Sequence, residues 1–163
     1  MRRIYLAGFD VFRADAVAHG ERLKALCREH GFEGLYPLDN ALPAELSGDA
    51  AAGWIYRQNV TLIRRADMVM ANLNPFRGHE PDSGTAFEVG YAVALGKPVW
   101  AYTGQDRPLI EQVPGTVRDG LHVDADGYTV EDFGRPLNLM LAQSARVVTG
   151  DARACLRSMA AAA

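Results

Sequence analysis

The most constraining feature of the sequence is the apolar run ADMVMANLN, residues 66–74. Apolar and polar residues do not alternate along it, so the strand that it predicts must be covered on both faces. Strands of this kind are typical of parallel sheets with a layer of helices on each side. The run therefore favours an α/β fold.

Further strand and helix patterns alternate along the chain. The other predicted strands cover residues 3–7, 32–39, 97–102 and a short edge strand at 121–123. The predicted helices cover residues 14–30, 48–65, 83–95, 131–145 and a short segment from Asp151. This alternation predicts an α/β sandwich with a mostly parallel sheet, which binds ligands at the carboxyl ends of its strands.

Charge and cysteine content narrow the partners and the compartment. The formal net charge of −3 over 163 residues argues against nucleic acid or an anionic membrane as the main partner. Cys27 and Cys155 show neither metal-binding nor redox spacing, so we expect a reduced, cytoplasmic setting. The opening MRRIYLAGFDVF predicts a first strand rather than a signal peptide, and no apolar run approaches membrane-spanning length.

Glu88 is the only charged residue between Gly84 and Leu95. A carboxylate near a helix N-terminus is ordinarily explained by the helix dipole or by a capping box. A surface helix usually carries several charges, so the lack of charge predicts that this helix is buried, and a buried lone acid needs a function. Gly84 and Ala92 share the face of Glu88 at four-residue spacing and leave room around its carboxylate.

Asp82 and Tyr5 are candidate partners of Glu88. Asp82 is a good N-cap, although Ser83 could cap the helix instead and leave Asp82 free. Two carboxylates facing one cleft are the usual equipment for glycosidic-bond chemistry, with one as nucleophile and the other handling a proton. Tyr5 lies near the carboxyl end of the first strand, where it is either a core residue or holds a carboxylate in place.

Asn59 lies four residues from both Ile55 and Ile63 and so points along the apolar stripe of its helix. It is either a core amide with satisfied hydrogen bonds or a recognition group for a planar ligand. An amide both donates and accepts hydrogen bonds, as the edge of a nucleobase requires.

Other chemistries are less well supported. The segment GFDVF after the first strand has a single glycine, so neither the dinucleotide fingerprint nor a P-loop is present. His79, Glu80 and Asp82 share a loop, but such a short oxygen-rich trio is more often solvated than bound to a metal. We therefore expect no metal ion and no cofactor.

Three segments resemble the nucleoside 2-deoxyribosyltransferase family. They are the opening IYLAG, the block IRRADMVMANLNPFRGHEPDSGTAFEVGYAVALGKPV at residues 63–99, and the later PLNLML. The resemblance covers residues 3–142, and the tail at 145–163 is poorly matched. It implies a single domain over residues 1–163, a three-layer α/β sandwich with a mostly parallel, flavodoxin-like five-stranded sheet.

The resemblance also implies roles for individual residues. Glu88 of GTAFE is the nucleophile, Asp82 of PDSG lies by the base and helps to protonate it, and Tyr5 of IYLAG holds the Glu88 carboxylate. Asn59 stands where some members have an aspartate that contacts the base, which leaves the base preference open. Asn138 of NLML is similar to a residue that reaches into the neighbouring subunit's site and binds the sugar, which implies a homo-oligomer.

The residues that follow the first strand complete the expected site. Gly8, Phe9 and Phe12 lie where a parallel sheet binds its ligand, and the two aromatic rings are expected to wall the base. A 2′-deoxynucleoside and a free nucleobase are the implied substrates, and the implied reaction exchanges one base for another through a covalent intermediate on Glu88. Two alternatives are a hydrolase that cleaves 2′-deoxynucleoside 5′-monophosphates and a non-catalytic nucleotide-sensing module.

Overall fold

Five parallel strands form the main sheet of the computed structural model, which describes residues 1–162. The strands are β1 (Arg2–Ala7), β2 (Phe32–Leu35), β3 (Met68–Asn72), β4 (Val99–Thr103) and β7 (Arg146–Thr149). Their order across the sheet is β2–β1–β3–β4–β7, which is the flavodoxin-like order. The predicted fold class is confirmed.

Helices cover both faces of this sheet. They are α1 (Ala16–Glu29), α2 (Gly48–Arg65), α3 (Ser83–Ala94), α4 (Leu109–Gln112), α5 (Leu139–Ser144) and α6 (Ala152–Ala161). The cores that they form are separate: α1 and α6 pack on one face of the sheet, and α2, α3 and α5 pack on the other.

The alternation of side chains along β1 decides which residues face the site. Ile4 and Leu6 belong to the core under α1 and α6, whereas Tyr5 and Ala7 belong to the core under α2 and α3. Tyr5 is fully buried there and pairs in register with Val69 of β3. A tyrosine in the middle of the sheet is thus aimed at α3.

The prediction that α3 is wholly buried is wrong. Thr85, Val89 and Ala92 face the core, but Phe87 is 50% exposed and Val93 is 42% exposed. The helix lacks charges on its outer face as well as on its inner face, so it presents an apolar surface to the outside.

The helix predicted at 131–145 is also wrong, because only residues 139–144 are helical. Gly134 has a φ of 64°, in the left-handed region, and Pro136 lacks a backbone donor. Proline also disfavours the helical conformation for the residue before it. Glu131 instead accepts hydrogen bonds from Asn138 Nδ2 and from the Leu139 backbone N–H, which fixes the start of α5.

Residues 121–123 do not form an edge strand of the main sheet. They belong to β6 (Leu121–Asp124), which pairs antiparallel with β5 (Gly115–Arg118) in a separate two-stranded hairpin. Asp119 and Gly120 between them both have positive φ values, 52° and 80°, as tight hairpin turns require. The fifth strand of the main sheet is β7 in the poorly matched tail, and α6 follows it as predicted. No helix within residues 1–162 has the length and apolar character needed to cross a bilayer.

Candidate active site

The Glu88 carboxylate is held by a hydroxyl from the sheet. Tyr5 donates a hydrogen bond from its hydroxyl to Oε1 of Glu88 at a distance of 2.5 Å. The two residues are 83 positions apart and meet because the inward face of β1 packs under the first half of α3. The predicted contact between Tyr5 and the acid is present in the structure.

Burial dominates the protonation of Glu88. Its surroundings together raise the pKa of the carboxyl from 4.5 to about 7; removal from water is the largest cause, and the nearby charge of Asp82 acts in the same direction. The Tyr5 hydroxyl works in the opposite direction, because it donates to the charged form and lowers the pKa. The carboxyl therefore titrates near neutrality, as is common for groups that do chemistry.

Asp82 caps α3. Its Oδ2 accepts hydrogen bonds from the Thr85 backbone N–H at 2.8 Å and from Thr85 Oγ1 at 3.0 Å. A Cβ placed on Gly84 would lie 3.1 Å from the same oxygen, so glycine keeps this corner open. Asp82 is therefore the N-cap rather than a spare acid, and it also faces the site, since it lines the same cavity as Glu88.

This cavity has a volume of about 460 Å³, within the range usual for small-molecule sites. It lies at the carboxyl ends of β1 and β2, between α2 and the start of α3. Four parts of the chain line it: Gly8, Val11 and Phe12 after β1; Pro37, Leu38, Asn40 and Leu42 after β2; Trp54, Ile55, Gln58 and Asn59 of α2; and Asp82, Gly84, Thr85 and Glu88 of α3. Five of the eight predicted site residues are thus on one wall or another of a single cavity.

Asn59 presents an unsatisfied acceptor in this cavity. Its Oδ1 is buried and has no hydrogen-bond partner within residues 1–162. A buried acceptor without a partner is costly and is usually satisfied by something that binds. This observation argues against a fully satisfied core amide and is consistent with a recognition group.

The two phenylalanines after β1 play different parts. Phe12 lines the cavity, and Phe9 does not. Both rings stack on Phe76 from the loop after β3, with centroid distances of 4.9 Å for Phe9 and 5.4 Å for Phe12. The Arg77 guanidinium lies 4.7 Å from the centroid of the Phe76 ring. Phe12 therefore forms part of the cavity wall, whereas Phe9 lies outside the cavity and packs against Phe76, the ring on which Phe12 also stacks.

Asn138 lies outside the Glu88 cavity. It lines a second cavity of about 400 Å³ together with Val89, Gly90 and Val93 of α3 and the exposed Met140. Its Oδ1 accepts from the Met140 backbone N–H and its Nδ2 donates to Glu131. Within one chain, Asn138 is therefore not brought to the nucleophile.

Sequence reasoning missed several residues of the site. Trp54 and Gln58 lie in the same helix as Asn59, and the pattern of that helix indicated only an apolar stripe that includes Trp54. Asn40 lies in a loop whose proline and polar residues gave no signal beyond irregular structure.

No cluster of three or more His, Cys, Asp or Glu side chains in the described part of the chain is arranged to hold a metal ion.

Comparison with known proteins places this geometry in a family. A family model described as nucleoside 2-deoxyribosyltransferase matches residues 4–140. An uncharacterized protein of Schizosaccharomyces pombe is 32% identical over 155 residues, which cover 84% of this chain and 74% of that protein.

Solved structures agree with this match. A 2-desoxiribosyltransferase from Leishmania mexicana is 36% identical with a TM-score of 0.81, over 99% of this chain and 98% of that chain. A CMP N-glycosidase from Clostridium botulinum is 16% identical with a TM-score of 0.50, over 97% and 98% of the two chains, and shares the fold alone. By its sequence and its fold, this chain belongs to the nucleoside 2-deoxyribosyltransferase family.

Proposed function

We propose that this chain transfers the 2-deoxyribosyl group between nucleobases by a retaining double displacement through a covalent deoxyribosyl-Glu88 intermediate. The observation that carries the proposal is the Glu88 carboxylate, held by the Tyr5 hydroxyl at the wall of a cavity of about 460 Å³. Membership of the family supports the class of reaction, and the cavity residues support the individual roles.

In the first half-reaction, a carboxylate oxygen of Glu88 attacks C1′ of a 2′-deoxynucleoside from the face opposite the base. The bond between C1′ and the base nitrogen breaks, and its electron pair leaves with the base. Asp82 assists by passing a proton to the departing base. The sugar remains as an ester on Glu88, and the absence of a 2′-hydroxyl favours the oxocarbenium-like transition state.

In the second half-reaction, a different base gives up its proton towards Asp82 and attacks C1′ with the nitrogen. The ester bond breaks, and Glu88 recovers its negative charge. Each step inverts C1′, so two steps retain the β configuration, and the kinetics are ping-pong. These steps use only side chains of the protein and the two substrates.

The environment of Glu88 suits both steps. The nucleophile must be charged, and a carboxyl whose pKa is about 7 is charged in about half of the molecules at neutral pH. The ester must survive until a base arrives, so water has to be kept out. Phe12, Trp54 and Ile55 line the cavity with apolar surface and support this exclusion.

Asn59 is proposed to bind the edge of the base. Its unpartnered Oδ1 can accept from an amino group, and after rotation of the amide its Nδ2 can donate to a carbonyl. We infer that the site accepts bases with either group. Gly8 and Phe12 also line the cavity.

The second candidate is hydrolysis of 2′-deoxynucleoside 5′-monophosphates. A phosphate site at the start of α3 would use Ser83, Thr85 and Arg77. Asp82, however, already accepts hydrogen bonds from the Thr85 backbone N–H and hydroxyl, so these two donors are not free to bind a phosphate. This cap favours the transferase over the monophosphate hydrolase.

A homo-oligomer with shared sites is proposed for Asn138. This residue lies in a separate cavity, which is also lined by Val93 of α3 and by Met140, both of which are exposed. A second copy covering this apolar surface could receive Asn138 at its own sugar site. If so, a mixture of Glu88→Ala and Asn138→Ala chains regains activity that neither variant has alone, and no recovery on mixing would contradict shared sites.

Base exchange is tested with 2′-deoxyinosine, with or without adenine, followed by chromatography. Formation of deoxyadenosine only in the presence of adenine supports the transferase, whereas hypoxanthine released at equal rates in both reactions indicates a hydrolase. Glu88→Gln is the matched control, because glutamine keeps the size of the side chain and an oxygen that can accept from Tyr5. Unchanged turnover in this variant would rule out Glu88 as the nucleophile.

Buried, unpaired Cys27 and Cys155 fit the cytoplasmic setting that nucleoside salvage implies.

A further inference from the structure

The turn between β1 and α1 contains a buried carboxylate that the proposed chemistry does not use. Asp10 is only 7% exposed. Its Oδ2 accepts a hydrogen bond from Nδ2 of Asn72 at 2.9 Å, and its Oδ1 lies 3.1 Å from Nε2 of His19 in α1. A buried acid is stable only where its oxygens have partners, so these two contacts fix the position of Asp10.

The backbone next to Asp10 leaves space for this contact. A Cβ added to Gly8 would lie 2.9 Å from Oδ2 of Asp10 and 2.9 Å from Cβ of Asn72. Real Cβ atoms essentially never approach that closely, so any side chain at position 8 would push the two partners apart. Gly8 therefore serves the Asp10–Asn72 contact as well as the cavity.

The contact continues into two further loops. Asn72 Oδ1 accepts from Nδ2 of Asn74 at 2.7 Å, and Asn74 Oδ1 accepts from the Gly104 backbone N–H at 2.8 Å. This chain of hydrogen bonds joins the turn after β1, the loop after β3 and the loop after β4. The turn and the β3 loop carry the stacked pair Phe12 and Phe76.

We propose that Asp10 is a positioning residue for substrate binding: through Asn72 it holds the turn that carries Phe12 against the loop that carries Phe76 and Asp82. Asp10 itself does not touch the substrate. It sets the affinity of the cavity for the nucleoside and leaves the rate of bond cleavage in the bound complex nearly unchanged. The nature of the ligand rests on the proposed function, whereas the geometry of the turn does not.

Affinity is measured in a Glu88→Gln parent, which cannot consume the ligand, by titrating 2′-deoxyinosine and following the tryptophan fluorescence, with Trp100→Phe added so that only Trp54 of the cavity reports. Adding Asp10→Ala should weaken binding about tenfold, as expected for the loss of one charge-assisted hydrogen bond. Asp10→Asn keeps an oxygen for Asn72 and should remain within about threefold of the parent. Asp15→Ala, at an exposed acid in the same turn bonded to Arg13 and Arg22, is the matched control and should change nothing.

Kinetics distinguish a positioning role from a purely structural one. If Asp10 positions the turn, then with Glu88 intact the rate of deoxyinosine cleavage in Asp10→Ala at saturating substrate should stay within about threefold of the wild type, while KM rises about tenfold. A rate that falls as much as the affinity, an unchanged dissociation constant, or an equal effect of Asp15→Ala would overturn the proposal. If Asp10→Ala does not fold, Asn74→Ala breaks the same chain at a less buried point and should give the same split between KM and rate.

The inference and the proposed function can fail separately. If the parent binds deoxyinosine but the wild type exchanges no bases, the transferase is wrong, and the comparison of dissociation constants still decides the role of Asp10. If the parent does not bind deoxyinosine, the same titration with 2′-deoxyinosine 5′-monophosphate decides it.

Discussion

Replacing Glu88 by glutamine should make the folded protein more stable at neutral and alkaline pH. In the folded state the pKa of this carboxyl is about 7, against an ordinary value of 4.5, because burial disfavours the charged form. The folded protein therefore holds a proton that the unfolded chain releases, and stability falls as the pH rises from 4.5 to about 7. At about 1.4 kcal/mol per pKa unit, the loss amounts to about 3 kcal/mol.

Glutamine carries no charge and keeps an oxygen for the Tyr5 hydroxyl, so this loss should be absent from the variant. We expect Glu88→Gln to exceed the wild type in free energy of unfolding by about 3 kcal/mol at about pH 8, and by little at about pH 4.5. The measurement is urea unfolding at both pH values, analysed with a common slope. The exposed Glu33→Gln serves as control for the general effect of removing an acid.

The reasoning fails if the difference between Glu88→Gln and wild type is the same at both pH values. It fails equally if the variant is less stable than the wild type at the higher pH. Either outcome would mean that the Glu88 carboxylate is adequately solvated or paired in the folded state, and that its burial does not raise the pKa.

Three more predictions follow from single contacts. Tyr5→Phe removes a donor to the charged form of Glu88, so the pH midpoint of kcat/KM should move upward by about one to two pH units, and an unmoved midpoint would contradict this role. Asn59→Asp removes the amide donor, so kcat/KM should fall about tenfold more for deoxyinosine than for deoxyadenosine, whereas equal losses would argue against base contact. Gly20→Ala would bring a Cβ within 2.4 Å of the Tyr36 ring and should cost about 1–3 kcal/mol in denaturant unfolding, unlike Gly90→Ala, whose Cβ meets nothing within 4 Å.

Much of the sheet was predictable because strand periodicity in this sequence is unambiguous. The run at 66–74 lies on β3, and the short first strand places Tyr5 one residue from Leu6, on the opposite face of the sheet. The alternation is enough to point Tyr5 towards α3 once the register is known. β7 was missed because it has only four residues, begins with an arginine and lies at the edge of the sheet.

The predicted helix at 131–145 and the predicted edge strand at 121–123 are both opposed by local signals in the sequence. Pro136 and Gly134 both argue against a helix that starts at residue 131, and the Asp119–Gly120 pair is a strong hairpin signal. The buried position of Asp10 could not be predicted, because it depends on Asn72, which is 62 residues away. Contacts between distant loops of this kind carry no periodic pattern in the sequence.

The cap of α3 has a consequence for how this position can change over time. Asp82 accepts a hydrogen bond from a backbone N–H of the first turn of α3 and also lines the cavity, so selection for the fold and selection for the site act on the same residue. Asparagine or serine would preserve the cap and lose the acid, whereas glutamate would keep the acid and lose the cap. If the proposed base exchange were no longer needed, the fold could therefore be kept with asparagine or serine at position 82.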